Sequence, residues 1–164
     1  MYKLLSIAFF FLFIQANAQT TYKYYNPKHF KGYSIVFTKE YKANFLLREF
    51  KEQFTPAKKE IDSAEAIFMR RYDVDINKKE AYISTNNPVK FFKYYLRQYM
   101  GLINLNDEKV ILIKMLNVPK PRRKTIEEHY ENWESKYVLG TGDFYERNTV
   151  PFLVNLTTGE ISVF

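Results

Sequence analysis

Four basic side chains lie within five residues of one another and form the densest charged cluster in the sequence. They are Lys120, Arg122, Arg123 and Lys124. An arginine guanidinium grips phosphate or carboxylate through two parallel hydrogen bonds, so this composition is suited to anion binding. The prolines of the segment predict an extended, exposed conformation. The cluster is therefore a candidate anion-binding site. The alternative is a solvated loop whose charges face neighbouring glutamates.

A second stretch begins like a calcium-binding loop. Asp73, Asp75 and Asn77 occupy the first, third and fifth positions of such a loop. The loop also needs glycine at its sixth position and a bidentate glutamate at its twelfth, and here those positions hold Lys78 and Ser84. Lysines at the cation position favour a polar loop that ends a helix, and we predict no calcium site.

The histidines and nearby carboxylates do not have the spacing of a metal site. His29 and His129 are the only histidines, and no H-E-x-x-H motif is present. Glu128, Glu131 and Glu134 would share one face of a helix that follows the basic cluster. A solvated face that neutralises the cluster accounts for them. We therefore predict no metal.

The glycine pattern also predicts no phosphate cradle and no cofactor. Gly140 and Gly142 begin a dinucleotide-type fingerprint, but the third glycine is replaced by Tyr145. We expect these glycines to form a bulge or bend that enters a sheet. The chain has no G-x-S-x-G motif and no cysteine, so the sequence identifies no catalytic residue.

The first 18 residues have the layout of a secretory signal peptide. Lys3 precedes an apolar run over residues 4–14, and Ala16 and Ala18 provide the small side chains of a cleavage site. The run is about half the length of a membrane-spanning helix. We expect cleavage after Ala18 and a periplasmic or extracellular location. No later stretch predicts a transmembrane anchor.

Composition and charge restrict the partners. The formal charge is +7, and loss of Lys3 with the signal peptide would leave +6. This excess favours anionic partners by electrostatic steering, although it could serve solubility alone. Outside the cytoplasm the candidate partners are an anionic glycan, a lipid headgroup or an envelope protein, and export argues against nucleic acid.

The order of predicted elements indicates an α+β fold, with N-terminal helices followed by an antiparallel β-meander packed on a helix. After a loosely ordered lead-in over residues 19–32, a single domain is expected over residues 33–164. Hydrophobic periodicity predicts a strand at 33–38, helices from residues 39, 56 and 87, and a fourth helix with Thr125 and Glu128 as capping box. Two strands are predicted around residues 106–108, and three short ones between residue 144 and the C-terminus.

The stretch from FTPAKKEIDSAEAI, through KYYLRQYMGLIN and EKVILIKM, to VNLTTGEISVF resembles a group of small, mostly uncharacterised exported bacterial proteins. The similarity covers roughly residues 54–164. It implies a cystatin-like sheet wrapped on one helix and brings no functional residue with it.

Two functions follow as expectations. The first is an exported, non-enzymatic binding or interaction module, for which an anionic envelope component is a suitable partner. The second is a small secreted hydrolase whose carboxylates come together only in the fold. A cleft that gathers Glu128, His129 or Asp143 would favour the enzyme.

Overall fold

The structure, a computed structural model, describes residues 19–25, 33–43, 49–76 and 92–164. Within these residues the elements follow in the order β1 (Thr21–Tyr24), β2 (Ser34–Phe37), β3 (Glu52–Phe54), α1 (Lys58–Asp75), β4 (Leu96–Ile103), β5 (Lys109–Leu116), α2 (Arg122–His129), α3 (Asp143–Asn148), β6 (Thr149–Asn155) and β7 (Ile161–Val163). A short 3-10 helix, Phe92–Tyr94, precedes β4. The expectation of a mixed α+β fold is confirmed.

The seven strands form one mostly antiparallel sheet. Its order is β1-β2-β4-β5-β6-β7, and β3 also pairs with β4. Strands β2 and β4 are parallel, with Ile35 opposite Gln98, and every other pairing is antiparallel. Strand β2 pairs with residues 98–100 of β4, and β3 pairs with the next three residues, 101–103.

Helix α1 covers one face of the sheet and confirms the helix predicted from residue 56. Pro56 and the N-cap residue Ala57 precede it, and the Glu60 carboxylate accepts a hydrogen bond from the Ala57 N–H at 2.8 Å. The predicted stripe is buried against the sheet, with Ile61 and Phe68 fully enclosed. The helix packs against β5, β6 and β7. We call this side the α1 face.

The opposite side of the sheet is covered by the chain between β5 and β6, and we call it the α2 face. Tyr130, Trp133 and Tyr137 are buried there. The predicted helix, however, ends at His129 and continues as turns. Strand β5 alternates between the two cores, since Ile113 packs on the α1 face and Leu112 on the α2 face.

The helix predicted from residue 87 is wrong in its described part, because residues 96–103 form strand β4. A strand buried on both faces is apolar almost without interruption, and helical spacing can be found in any such run. The helix was expected to end at Gly101 or to give way to extended chain a little earlier; the extended chain begins at Leu96, and Gly101 lies inside β4. A Cβ at this position would approach the Phe54 ring at 2.8 Å, so glycine permits close packing of β3 on β4.

Of the helices predicted before the meander, the part of the chain that the structure describes contains only α1, and three strands precede it. Strand β1 lies within the segment expected to be a loosely ordered lead-in, and its pairing with β2 orders it. Of the helix predicted from residue 39, residues 44–48 lie outside the described part, and the described remainder is turn and coil. The segment predicted to be a signal peptide and most of the calcium-like loop also lie outside the described residues.

The C-terminal part contains two strands and a helix instead of three strands. Helix α3 occupies Asp143–Asn148, where the first of the short strands was expected. The expectation for the glycines was a bulge or bend that enters a sheet. Gly142 lies in a bend with φ of 92°, but it is the N-cap residue of α3, so the bend leads into this helix and not directly into the sheet. The predicted turn around residues 157–159 is confirmed, and Gly159 adopts a positive φ of 73° there.

Candidate binding site at the basic end of the sheet

The four basic side chains predicted as an anion site lie at the start of helix α2. Arg122, Arg123 and Lys124 form its first turn, Lys120 precedes the N-cap residue Pro121, and all four are exposed. The expected extended conformation is therefore wrong, and so is the capping box. Thr125 lies inside the helix and its hydroxyl donates to the Pro119 carbonyl at 3.0 Å.

Only half of this cluster is paired with carboxylates. Arg123 contacts Glu127 at 2.8 Å and Lys124 contacts Glu128 at 3.6 Å, each one helical turn away. Exposed pairs of this kind contribute little to stability and exchange readily with other anions. Among the described residues, Lys120 and Arg122 have no ion-pair partner.

The position of these cations on the helix is electrostatically unfavourable without an anion. The N-terminal turn of a helix carries a partial positive charge, and its first N–H groups have no intrahelical acceptor. Three cations on that turn add to the positive potential, where acidic side chains would normally lower it. The local field therefore favours an external anion.

Arg122 forms the charged wall of a cleft of about 360 Å³. The cleft is lined by Tyr33, Tyr95, Leu96, Arg122, Ile126, Trp133 and Glu134. Burial raises the pKa of Tyr95 to about 12, so its phenol is neutral at physiological pH. The cleft thus combines one unpaired cation, Arg122, with the carboxylate of Glu134 and with aromatic and aliphatic walls.

A clasp between strand β1 and the segment after α2 holds the aromatic wall in place. We define the clasp as Lys23, Tyr33, Trp133 and Glu134. The rings of Tyr33 and Trp133 stack with centroids 5.7 Å apart. The Tyr33 hydroxyl donates to the Glu134 carboxylate, and this hydrogen bond raises the pKa of Tyr33. Lys23 lies 4.1 Å from the Tyr33 ring centroid and 3.6 Å from Glu134.

Gln98 anchors the segment that carries Trp133 to the sheet. Its amide nitrogen donates to the Trp133 carbonyl at 2.6 Å and to the Lys136 carbonyl at 2.7 Å. Its amide oxygen accepts from the Val138 N–H at 2.9 Å. One side chain in the middle of β4 therefore satisfies three backbone groups of the covering segment.

Two exposed tyrosines lie at the same end of the sheet as the cleft. Tyr25 follows the last residue of β1 and its ring centroid lies 5.7 Å from that of Tyr33. Tyr94 immediately precedes the cleft residue Tyr95. Strands β2 and β4 both begin at this end and β5 ends there, which brings α2 close by. We call this region the basic end.

The residues considered for a hydrolase have other partners or are exposed to solvent. Glu128 is paired with Lys124, the His129 ring stacks on Phe144 with centroids 3.6 Å apart, and Asp143 is exposed at the start of α3. Within residues 19–25, 33–43, 49–76 and 92–164, no group of three or more His, Cys, Asp or Glu residues could hold a metal ion.

A carboxylate network that the sequence did not reveal is buried on the α1 face. Tyr99 donates to Glu65 at 2.6 Å, and both residues are fully buried. Arg97 donates to the Ser34 hydroxyl at 3.1 Å and to the Phe92 carbonyl at 2.6 Å. Burial lowers the pKa of Arg97 to about 10, against the opposing effect of Tyr99 and Glu65, so it remains charged at neutral pH. These groups are shielded from solvent, and the arrangement is suited to holding α1 on the sheet.

Sequence reasoning found the cations of the basic end but missed the clasp and Gln98. Tyr33 and Glu134 are 101 residues apart in the chain, and no local pattern links them. The single tryptophan of the chain, Trp133, is the one signal that could have directed attention to this region.

Comparison with known proteins gave no family, no curated protein and no solved structure that matches this chain. None of the helices in the described residues is long and apolar enough to span a membrane.

Proposed function

We propose that the protein is an exported, non-enzymatic binding module whose partner is an anionic component of the cell envelope, bound at the basic end. The observation that carries the proposal is the position of Arg122. Its guanidinium has no carboxylate partner among the described residues and lines a cleft with aromatic walls. Arg122 is exposed and hydrated, so this guanidinium is available to form two parallel hydrogen bonds with an external anion.

The neighbouring charges support the same partner. Lys120 is exposed and unpaired among the described residues, while Arg123 and Lys124 have exposed carboxylate partners that an incoming anion could replace. Export is proposed from the signal-peptide layout of residues 1–18 and places the module in the periplasm or outside the cell.

The finer fold proposal is a cystatin-like layout, as in the small exported proteins that the sequence resembles. It is supported by the order of elements after residue 57. Helix α1 is followed by the antiparallel strands β4, β5, β6 and β7, and it packs against the last three of them. Such a sheet leaves the covering segment on its other face free to carry a binding site.

Heparin chromatography of the chain from Gln19 tests the proposed function. Changing Lys120, Arg122, Arg123 and Lys124 together to Ser should abolish salt-sensitive retention, because these side chains would form the contacts with the polyanion. The matched control replaces four exposed cations elsewhere, namely Lys39, Lys42, Lys59 and Arg70, and removes the same charge.

The control variant should elute only slightly earlier than the unaltered protein. If both variants elute at the same salt concentration, retention depends on net charge alone and the basic end is not a binding site.

A further inference from the structure

The basic end combines exposed phenol rings with exposed cations. Tyr25 is 58% exposed and Tyr94 is 50% exposed, and they are the two most exposed aromatic side chains of the described residues. Both lie beside the cleft that Arg122 lines. Tyrosine has an apolar ring and a polar hydroxyl, and it is enriched where proteins meet the interfacial region of a bilayer.

The charges at this end match the headgroup layer of an anionic bilayer. Lysine and arginine near such a surface are attracted within about one Debye length, and several together give measurable binding. Lys120 and Arg122 are available without breaking an ion pair among the described residues. The N-terminal, positive end of α2 lies at this end of the sheet, since Arg122 of its first turn lines the cleft, and it adds to the attraction of anionic lipid.

The rings within the cleft are less suited to a soluble sugar. The ring of Tyr33 stacks on Trp133, and the Lys23 ammonium lies 4.1 Å from the centroid of the Tyr33 ring. Trp133 is only 6% exposed. Sugar platforms need an open ring face, and the rings with substantial exposure here, Tyr25 and Tyr94, lie outside the cleft. An extended surface therefore fits this end better than a ligand enclosed by it.

We infer that the basic end docks on an anionic phospholipid bilayer, with Tyr25 and Tyr94 in the interfacial layer and the cations of α2 on lipid phosphates. This inference rests on the proposed function, because it names the anionic partner. Docking would be peripheral, through rings and charges at one end of the sheet.

Vesicle co-sedimentation tests the inference with two lipid compositions. The chain from Gln19 should sediment with vesicles of equal parts phosphatidylglycerol and phosphatidylcholine, and should stay in solution with pure phosphatidylcholine. Tyr25→Ser and Tyr94→Ser should each weaken binding several-fold, since each removes one ring from the interface. Leu105→Ser is the matched control, because Leu105 is 65% exposed and lies in the β4–β5 turn at the opposite end of the sheet.

Heparin retention of the same variants separates the inference from the proposed function. The tyrosine variants should be retained on heparin like the unaltered protein, and circular dichroism should show unaltered folding. Tyrosine variants that bind vesicles as tightly as the Leu105→Ser control would overturn bilayer docking. Binding to heparin without binding to anionic vesicles would also overturn it while leaving the proposed function intact. If the unaltered protein binds neither heparin nor anionic vesicles, the proposed function and the bilayer inference are both rejected.

Discussion

Arg97 and Lys114 are both buried cations of the sheet, but they lie on opposite faces and have different surroundings. Arg97, on the α1 face, donates to Ser34 and to the Phe92 carbonyl and lies in the field of Glu65. Lys114, on the α2 face, has no hydrogen bond or ion pair with any described residue. The comparison shows that polar groups surround the buried cation of the α1 face, whereas the buried cation of the α2 face has no polar partner among the described residues.

Gln98 is a polar anchor of the α2 face and lies beside Lys114. Gln98 lies directly between Arg97 and Tyr99 in sequence, yet the alternation of the strand directs it to the other face. Its cross-strand neighbour is Lys114. One strand therefore supplies the buried Arg97 and Tyr99 of the α1 face and the neutral Gln98 of the α2 face.

The largest effect is expected on breaking the α1 network. Glu65→Ala would leave the buried Arg97 without the carboxylate whose field favours its charge, and the Tyr99 hydroxyl without its acceptor. Removing one of two buried, interacting opposite charges lowers the free energy of unfolding by about 3–5 kcal/mol. Urea denaturation of the variant and the unaltered protein at pH 7 would measure the loss.

Two further variants separate charge from hydrogen bonding. Glu65→Gln removes the charge but retains an acceptor for Tyr99, and Tyr99→Phe removes only the hydroxyl, at a cost of about 1–2 kcal/mol. If Glu65→Ala costs no more than Tyr99→Phe, then the charge of Arg97 does not depend on Glu65 and the contrast between the faces is wrong.

A smaller loss is expected from removing the anchor of the α2 face. Gln98→Ala would leave the buried carbonyl of Trp133 and the N–H of Val138 without their partners. Unsatisfied buried groups cost about 1–3 kcal/mol each, and partial access of water would bring the total to about 2–4 kcal/mol. Trp133 is the only tryptophan, so its fluorescence would report movement of the segment.

The α1 face offers a control for this variant. Ser34→Ala removes a single hydroxyl that Arg97 contacts on the same sheet and should leave tryptophan fluorescence unchanged. An unchanged emission spectrum in Gln98→Ala would mean that apolar packing alone positions Trp133.

The sequence predicts those parts of the fold whose signals are local. Helix α1 has a proline at its start and an apolar stripe, and the β4–β5 turn has Asn106 and Asp107, the latter with a positive φ of 64°. Strand β4 is mistaken for a helix because both of its faces are buried, which removes the alternation that marks a strand.

The candidate site also has a part with a local sequence signal and a part without one. Its cations are adjacent in the chain and are recognisable as a cluster. The clasp and the α1 network join residues from distant segments, such as Arg97 and Ser34, which are 63 residues apart. Only the sheet order brings these residues together, and no pattern within one segment encodes that order.

The smallest effect, of opposite sign, is expected from removing the unpaired amine of the α2 face. Lys114 is 8% exposed, and burial lowers its pKa to about 8 from an ordinary value of 10.5. At pH 7 the folded protein must hold a charged ammonium in a desolvated position. Lys114→Met keeps a similar shape without the charge, and it should raise the free energy of unfolding by about 1–3 kcal/mol.

The pH dependence identifies the cause of this gain. Between pH 8 and 10.5 the unfolded chain binds more protons at Lys114 than the folded protein does, so the unaltered protein gains stability as pH rises through this range. The advantage of Lys114→Met should therefore be largest at pH 7, shrink above pH 8 and vanish near pH 10.5. The buried tyrosines titrate alike in both proteins and cancel in the difference. Urea midpoints of the two proteins at pH 7, 8.5 and 10 would measure this difference in stability. If Lys114→Met is less stable than the unaltered protein at pH 7, the ammonium has a stabilising partner on this face.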